Sequence, residues 1–125
     1  MATPIENIGQ IAIRARDLAR AVAFYRDVLG LEYLFEAGTL AFFMCGDVRI
    51  MLSPPERDEF DHPSSPVYFR VPDIQVAYDE LSERGATFVD EPHLIAKLPD
   101  HELWMVFFRD PDGNLMGLMS EVRGS

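Results

Sequence analysis

The chain has 125 residues, of which 48% are hydrophobic and 26% are charged. This composition fits one globular domain and excludes an intrinsically disordered chain. Its 21 acidic and 11 basic side chains give a net charge of −10, so nucleic acids and anionic membranes are poor partners, whereas a cationic ligand is electrostatically permitted. The sequence has no apolar run of transmembrane length and no signal-peptide pattern. We therefore expect a cytoplasmic protein.

The sequence contains an internal repeat. Residues 11–17 form an alternating, strand-like run that ends in Asp17, and they align with residues 67–73, which end in Asp73. In both copies, apolar residues at helical spacing follow the aspartate, and a glycine comes after them. An aspartate before a helix accepts hydrogen bonds from its first N–H groups, and a glycine after it supplies a left-handed residue. Each copy therefore predicts a strand followed by a capped helix.

In chain order, each half predicts a βαβββ module. The helix of the first half is predicted over 18–29, and the strands that follow the two helices are predicted at 31–36, 40–45, 48–53, 87–89, 94–97, 103–109 and 115–122. In the turn before the last strand, Pro111 fixes φ, and Gly113 and Asn114 tolerate positive φ. We predict an α+β fold in one domain, residues 1–125, with module one at about 8–53, a polar linker at 54–65 and module two at about 66–122.

Strand alternation predicts which side chains line the uncovered face of each sheet. One helix covers one face of a four-stranded sheet, so the other face must meet a partner sheet or a ligand. Two such sheets that enclose a cleft satisfy this requirement. The side chains opposite the helix-facing positions are then expected to line the cleft, and they are Gln10, Ala12, Arg14, Arg49, Met51, Tyr68, Arg70, Gly117 and Met119, joined by Trp104.

The arginines among these residues allow two interpretations. A guanidinium on a concave sheet face is costly unless it is paired or used. Arg14, Arg49 and Arg70 either hold an anionic group of a ligand through a guanidinium fork or pair internally with the abundant carboxylates. Arginines in the cleft favour an anionic ligand, whereas the net charge favours a cationic one, and the sequence leaves both open.

Two histidines border the predicted strand at 94–97. His93 precedes it and His101 follows it, with Glu102 beside the second histidine. They form either an acid–base or metal site at the cleft mouth or a polar connection between strands. Cys45 is the only cysteine, so an intrachain disulfide is excluded, and because it has no basic neighbour in the sequence we do not expect a catalytic thiol.

Two motifs on this repeated scaffold resemble those of the vicinal oxygen chelate superfamily, which includes glyoxalase I, bleomycin resistance proteins and extradiol dioxygenases. The motifs are Phe24-Tyr-Arg-Asp-Val-Leu-Gly-Leu31 and Phe108-Arg-Asp-Pro-Asp-Gly-Asn114, and the resemblance extends over about residues 8–121. It implies paired βαβββ modules that form a sheet cleft. It also implies a homodimer, because small members of the superfamily build their clefts between chains.

The resemblance places the superfamily's metal-ligand positions at Gln10, Met51, Pro66 and Gly117. Metal-using members carry His, Gln or Glu at such positions, and only Gln10 is of a type that they use. A divalent ion at such a site needs imidazole or carboxylate donors. The resemblance therefore implies that the usual metal site is absent, and we expect no cofactor.

The sequence favours metal-independent binding of a small organic molecule in the cleft, similar to bleomycin resistance proteins that sequester a drug. The alternative is a metal-dependent lyase, isomerase or dioxygenase of the glyoxalase type, with a displaced site drawn from Gln10, His93, His101 and Glu102. A third possibility is a cleft that binds nothing and serves only assembly. Whether the protein is an enzyme stays open at this stage, and no nucleic-acid or membrane partner is expected.

Overall fold

The computed structural model describes residues 3–55 and 58–123, which form two sheets with one helix on each. Module one contains β1 (Gln10–Arg14), α1 (Leu18–Ala23), β2 (Glu32–Ala37), β3 (Leu40–Cys45) and β4 (Val48–Ser53). Module two contains β5 (Val67–Arg70), α2 (Ile74–Glu83), β6 (Thr87–Phe88), β7 (His93–Lys97), β8 (Glu102–Arg109) and β9 (Leu115–Val122). The α+β prediction of two βαβββ modules is confirmed, with the outer strand of the second module split into β6 and β7.

The two sheets follow the same plan. Sheet 1 has the strand order β1-β4-β3-β2, and sheet 2 has the order β5-β9-β8, with β6 and β7 both paired to the outer edge of β8. The first and last strands of each module run parallel, and the other pairs are antiparallel. The break between β6 and β7 is held by Asp90, whose carboxylate accepts a hydrogen bond from Phe107 N at 2.8 Å.

Both helices begin at the predicted aspartate caps, but the first does not continue as expected. Asp17 accepts a hydrogen bond from Arg20 N, and Asp73 accepts from the first turn of α2 in the same way. The prediction of a regular helix to residue 29 is wrong, because Phe24–Val28 form a π-helical turn. This wider turn leaves both Phe24 and Tyr25 buried. None of the described helices is long and apolar enough to cross a membrane.

The hydrophobic core is continuous across the two modules. It lies between each helix and its sheet, and the ring of Phe24 in module one packs against Phe108 in module two with their centroids 6.2 Å apart. The strand residues that face this core alternate with residues that do not, which is the pattern of sheets covered on one side. One face of each sheet, here called its open face, is therefore left without a helix.

A buried carboxylate joins the two modules. Asp110, only 6% exposed, accepts hydrogen bonds on Oδ2 from the Tyr25 hydroxyl at 2.8 Å and from the Asn114 side-chain amide at 2.9 Å. Its Oδ1 accepts from the backbone N–H groups of Asp112 and Asn114, both at 2.9 Å. Burial, reinforced by Asp110, raises the pKa of Tyr25 well above its ordinary value, so the phenol stays a donor.

Asn114 extends this network to β1 and to the linker. Its amide nitrogen donates to Arg14 O at 2.8 Å, and its Oδ1 accepts from Ser64 N at 2.8 Å. Gly113 adopts a φ of 83°, whereas Asn114 does not have a positive φ, so of these two residues the glycine is the one that uses the left-handed conformation. The residue is buried with both ends of its amide hydrogen-bonded, and its role is to connect segments rather than to permit the turn.

Replacing Asp110 tests this junction. In Asp110→Asn, an amide nitrogen in place of Oδ2 would face two donors, the Tyr25 hydroxyl and the Asn114 amide, so we expect a loss of about 2–4 kcal/mol of unfolding free energy in urea titrations. Tyr25→Phe, which removes one donor only, should cost about 1–2 kcal/mol. The control is Asp47→Asn in an exposed turn. A loss in Asp110→Asn no larger than in the control would contradict the assignment.

Candidate functional site

The open face of sheet 1 brings together three of the predicted site residues. Gln10 on β1 lies beside Arg49 on β4, and Met51 follows two residues later on the same strand. Gln10 Oε1 accepts a hydrogen bond from Arg49 Nε at 2.7 Å, and Gln10 Nε2 lies 3.7 Å from the Met51 sulfur. The Arg49 guanidinium also lies 5.6 Å from the centre of the Phe42 ring, which is a cation–π distance.

The open face of sheet 2 is centred on an aromatic pair that lies over a glycine. Tyr68, Gly117 and Phe107 are cross-strand neighbours on β5, β9 and β8, and the two rings pack edge to face with centroids 5.9 Å apart. A Cβ atom on Gly117 would lie 2.7 Å from Tyr68 Cδ1 and 3.2 Å from Phe107. The absence of a side chain at Gly117 is therefore what lets the Tyr68 ring lie there.

A second row on this face contains His93 and Arg70. Arg70, Met119, Met105 and His93 follow one another across the four strands. His93 Nδ1 lies 2.8 Å from the carbonyl oxygen of Glu91, and its ring contacts Phe107 with centroids 6.4 Å apart. Arg70 is neutralised by an ion pair with Glu121 at 3.1 Å.

Arg14 has the same parity on β1 as Gln10, but it does not offer a free guanidinium to a ligand. Its side chain is 8% exposed, with Nε donating to Asp112 and Nη1 lying 3.2 Å from Asp61. Because β1 ends at Arg14, the side chain reaches the turn before β9. Of the two interpretations of the arginines, internal pairing is the correct one here. Asp61 also binds Arg16, and this pairing lowers the pKa of Asp61.

The prediction that Trp104 lines the cleft is wrong, because its side chain lies on the helix-facing side of sheet 2. It pairs with Ser120 across β8 and β9, on the same side as Val106 and Phe108, which are buried in the helix-facing core. Its indole packs against that core and donates to Glu102 at 3.1 Å. Since residues that share parity on a strand share a face, the open-face residues of β8 are Met105 and Phe107, which the sequence reasoning did not select.

His101 lies in the turn between β7 and β8, in charged surroundings. Its Nδ1 lies 2.8 Å from Asp100, which also binds Arg123 at 2.8 Å. Arg123, followed by His101, lowers the pKa of Asp100. The Glu102 carboxylate accepts a hydrogen bond from the indole of Trp104 rather than from His101. The structure therefore does not gather His93, His101 and Glu102 at one point of a single chain.

The positions at which the resemblance places metal ligands do not form a donor set for a divalent ion. Gln10 Oε1 is already bonded to Arg49, Met51 offers only a thioether, and the side-chain space at Gly117 is filled by the Tyr68 ring. Across residues 3–55 and 58–123, no three His, Cys, Asp or Glu side chains are grouped so that they could hold a metal ion.

The two open faces are separate within one chain. No hydrogen bond, ion pair or ring contact among the described residues connects the Gln10–Arg49–Met51 group with the Tyr68–Phe107 group. Both faces carry exposed aromatic side chains, with Phe35 on sheet 1 exposed by 48% and Tyr68 on sheet 2 by 46%. Within the part of the chain that the structure describes, the two open faces are thus separate surfaces.

A cavity that the sequence reasoning did not anticipate lies between the modules. It has a volume of about 390 Å³, and its apolar walls include Leu29, Cys45 and Val76. Arg84 at its edge donates to Val28 O at 3.2 Å and lies 3.8 Å from Glu80. The two arginines that line this cavity, Arg70 and Arg84, thus each have an ion-pair partner.

Comparisons with known proteins agree with this architecture. A family model described as the Glyoxalase/Bleomycin resistance protein/Dioxygenase superfamily matches residues 7–118. The chain is 29% identical to the uncharacterized protein YraH of Bacillus subtilis, covering 86% of this chain and 92% of that protein. It is also 29% identical to the metallothiol transferase FosB of Staphylococcus haemolyticus, covering 91% and 83% respectively. A solved member of the same superfamily from Sphaerobacter thermophilus has a TM-score of 0.79 at 25% identity, covering 94% of this chain and 98% of that one.

Because the Tyr68 ring lies so close to Gly117, the cost in stability of a side chain at Gly117 should depend on whether the Tyr68 ring is present. Gly117→Ala should cost about 1–3 kcal/mol of unfolding free energy, because the new methyl group must displace the Tyr68 ring. The same change in a Tyr68→Ala background should cost much less. Gly9→Ala is the matched control, since a Cβ atom there meets nothing within 4 Å. Equal costs of Gly117→Ala in the two backgrounds, measured by urea unfolding, would refute the contact.

Proposed function

Because the chain belongs to the glyoxalase/bleomycin resistance protein/dioxygenase superfamily, we propose that it binds a small organic molecule on its open sheet faces without a metal ion. The observation that carries the proposal is the Tyr68 ring, which fills the space of a side chain at Gly117. Where the superfamily resemblance calls for a carboxylate ligand, this chain has an aromatic surface. Such a surface suits a flat or amphipathic organic molecule.

The apolar neighbours of Tyr68 support this kind of ligand. Phe107 presents a second ring, and Met105 and Met119 lie in the adjacent row of the same face. Thioether side chains adapt to irregular apolar shapes and make favourable contacts with aromatic rings. The face therefore offers stacking and dispersion contacts, with His93 as a polar group at its side.

The proposal includes a homodimer in which each site is shared between two copies, in the cytoplasm. The two open faces do not contact each other among the described residues, and their aromatic side chains are exposed. Exposed apolar surfaces of this kind are typical of interaction sites. With twofold symmetry, sheet 1 of one copy opposite sheet 2 of its partner generates two equivalent clefts. The single cysteine, Cys45, is compatible with a reducing compartment.

The second candidate function is a metal-dependent reaction of the glyoxalase type, as a lyase, isomerase or dioxygenase. It is favoured by the similarity to FosB, which is named a metallothiol transferase, and by the position of His93 on an open face. Within one chain His93 and His101 have different partners, so a displaced site would need donors from a second chain, with Gln10 and Glu102 as the other candidates. In that case His93→Ala should abolish both metal binding and turnover.

Calorimetric titration with the neutral aromatic probe 2-naphthamide tests the binding proposal. The chain, dialysed against EDTA, should bind the probe saturably, and Tyr68→Ala should weaken binding about fivefold, the equivalent of one aromatic contact of about 1 kcal/mol. Val76→Ala, an exposed apolar position on α2, is the control. Binding that requires added metal, or that Tyr68→Ala leaves unchanged, would contradict the proposal.

A further inference from the structure

The guanidinium group of Arg49 lies on the open face of sheet 1, beside Gln10. We propose that Arg49 recognises a carboxylate on the bound molecule, so that the ligand is an organic acid with an apolar or aromatic body. This inference rests on the proposed small-molecule function and adds the chemical class of the ligand.

The two open-face arginines differ in how they are paired. Arg70 forms an ion pair with Glu121. Arg49 has no carboxylate within ion-pair distance among the described residues, although the chain has 21 acidic residues against 11 basic ones. By strand register the acidic residue on the same face is Glu32, two strands away across Met44, which corresponds to roughly 10 Å. The surplus of negative charge therefore does not neutralise this guanidinium.

The contacts of Arg49 fix the orientation of its guanidinium and leave the two terminal nitrogens without a hydrogen-bond partner among the described residues. Gln10 accepts from Nε, so one side of the guanidinium is held by a neutral group. The Phe42 ring lies beside the guanidinium carbon. The two terminal nitrogens, which form no hydrogen bond with the described residues, can donate together to a carboxylate in the bidentate geometry that arginine favours.

The side chains around Arg49 indicate the polarity of the group that is attached to the ligand's carboxylate. Met51 and Phe42 are cross-strand neighbours in the next row of the face, and Met44 lies directly opposite Arg49 on β3. These side chains are apolar, so a group attached to the carboxylate would pack on thioethers and a ring. A purely inorganic anion would use Arg49 but leave this apolar surface without a contact.

The test compares acids with amides of the same shape. The full chain is titrated with benzoate and benzamide, 2-naphthoate and 2-naphthamide, and decanoate and decanamide. We expect at least one acid to bind tenfold or more tightly than its amide, and this preference to shrink as salt rises. It should disappear in Arg49→Met and in Gln10→Glu, which supplies an internal carboxylate to the same guanidinium. Arg20→Met, at an exposed position on α1, should retain it.

Each outcome decides the inference. A preference that is lost only in Arg49→Met and Gln10→Glu supports it. Equal binding of acids and amides overturns it but leaves the proposed function standing, whereas no binding of either class counts against both. A preference that survives Arg49→Met also overturns it. So does a change of oligomeric state in Arg49→Met by size-exclusion chromatography, because loss of the shared cleft would then explain the lost preference without a contact between Arg49 and the carboxylate.

Discussion

The buried Asp110 carboxylate is the constraint on which the arrangement of the two modules depends. It receives four hydrogen bonds from Tyr25, Asp112 and Asn114, and through Asn114 it is tied to the backbone of β1 and the linker. The two motifs that carry the family resemblance thus meet each other in space, in a structural junction rather than at a reaction centre. Because this junction and the shared core take up the helix-facing side of both sheets, the opposite faces stay free for a ligand.

Among the described residues, those open faces carry no group of side chains that could hold a metal ion, and the proposal of a bound organic molecule rests on what they carry instead. A glycine with a tyrosine ring over it, a thioether and a glutamine bonded to arginine occupy the positions that the resemblance assigns to metal ligands. The net charge of −10 predicts a preference for cations at long range, but local contacts decide recognition at short range. At Arg49, whose contacts are with neutral groups, the long-range field of the protein favours a cation, whereas the local guanidinium favours an anion.

Much of the fold was predictable from the sequence, because the repeat, the aspartate caps and the strand alternation are local signals. Gln10, Arg49, Met51, Tyr68 and Gly117 were placed correctly on the open faces by alternation alone. The prediction for Trp104 is wrong, because Trp104 shares a face with Val106, which is buried in the helix-facing core. The pairing of Arg14 with Asp112 involves a turn 98 positions away in the sequence, so alternation does not report it. The Tyr68–Gly117 contact joins strands 49 positions apart in the sequence, and no local pattern reports it.

Elemental analysis tests the part of the proposed function that sets it apart from the metal-dependent alternative, namely that the protein holds no metal ion. The protein would be purified without a chelator or a metal-affinity column and measured as isolated, then again after incubation with nickel, iron, manganese or zinc and gel filtration. We expect only traces of metal in every sample and an unchanged melting temperature. Near-stoichiometric metal that survives gel filtration would contradict the proposal, and its loss in His93→Ala would support the metal-dependent alternative.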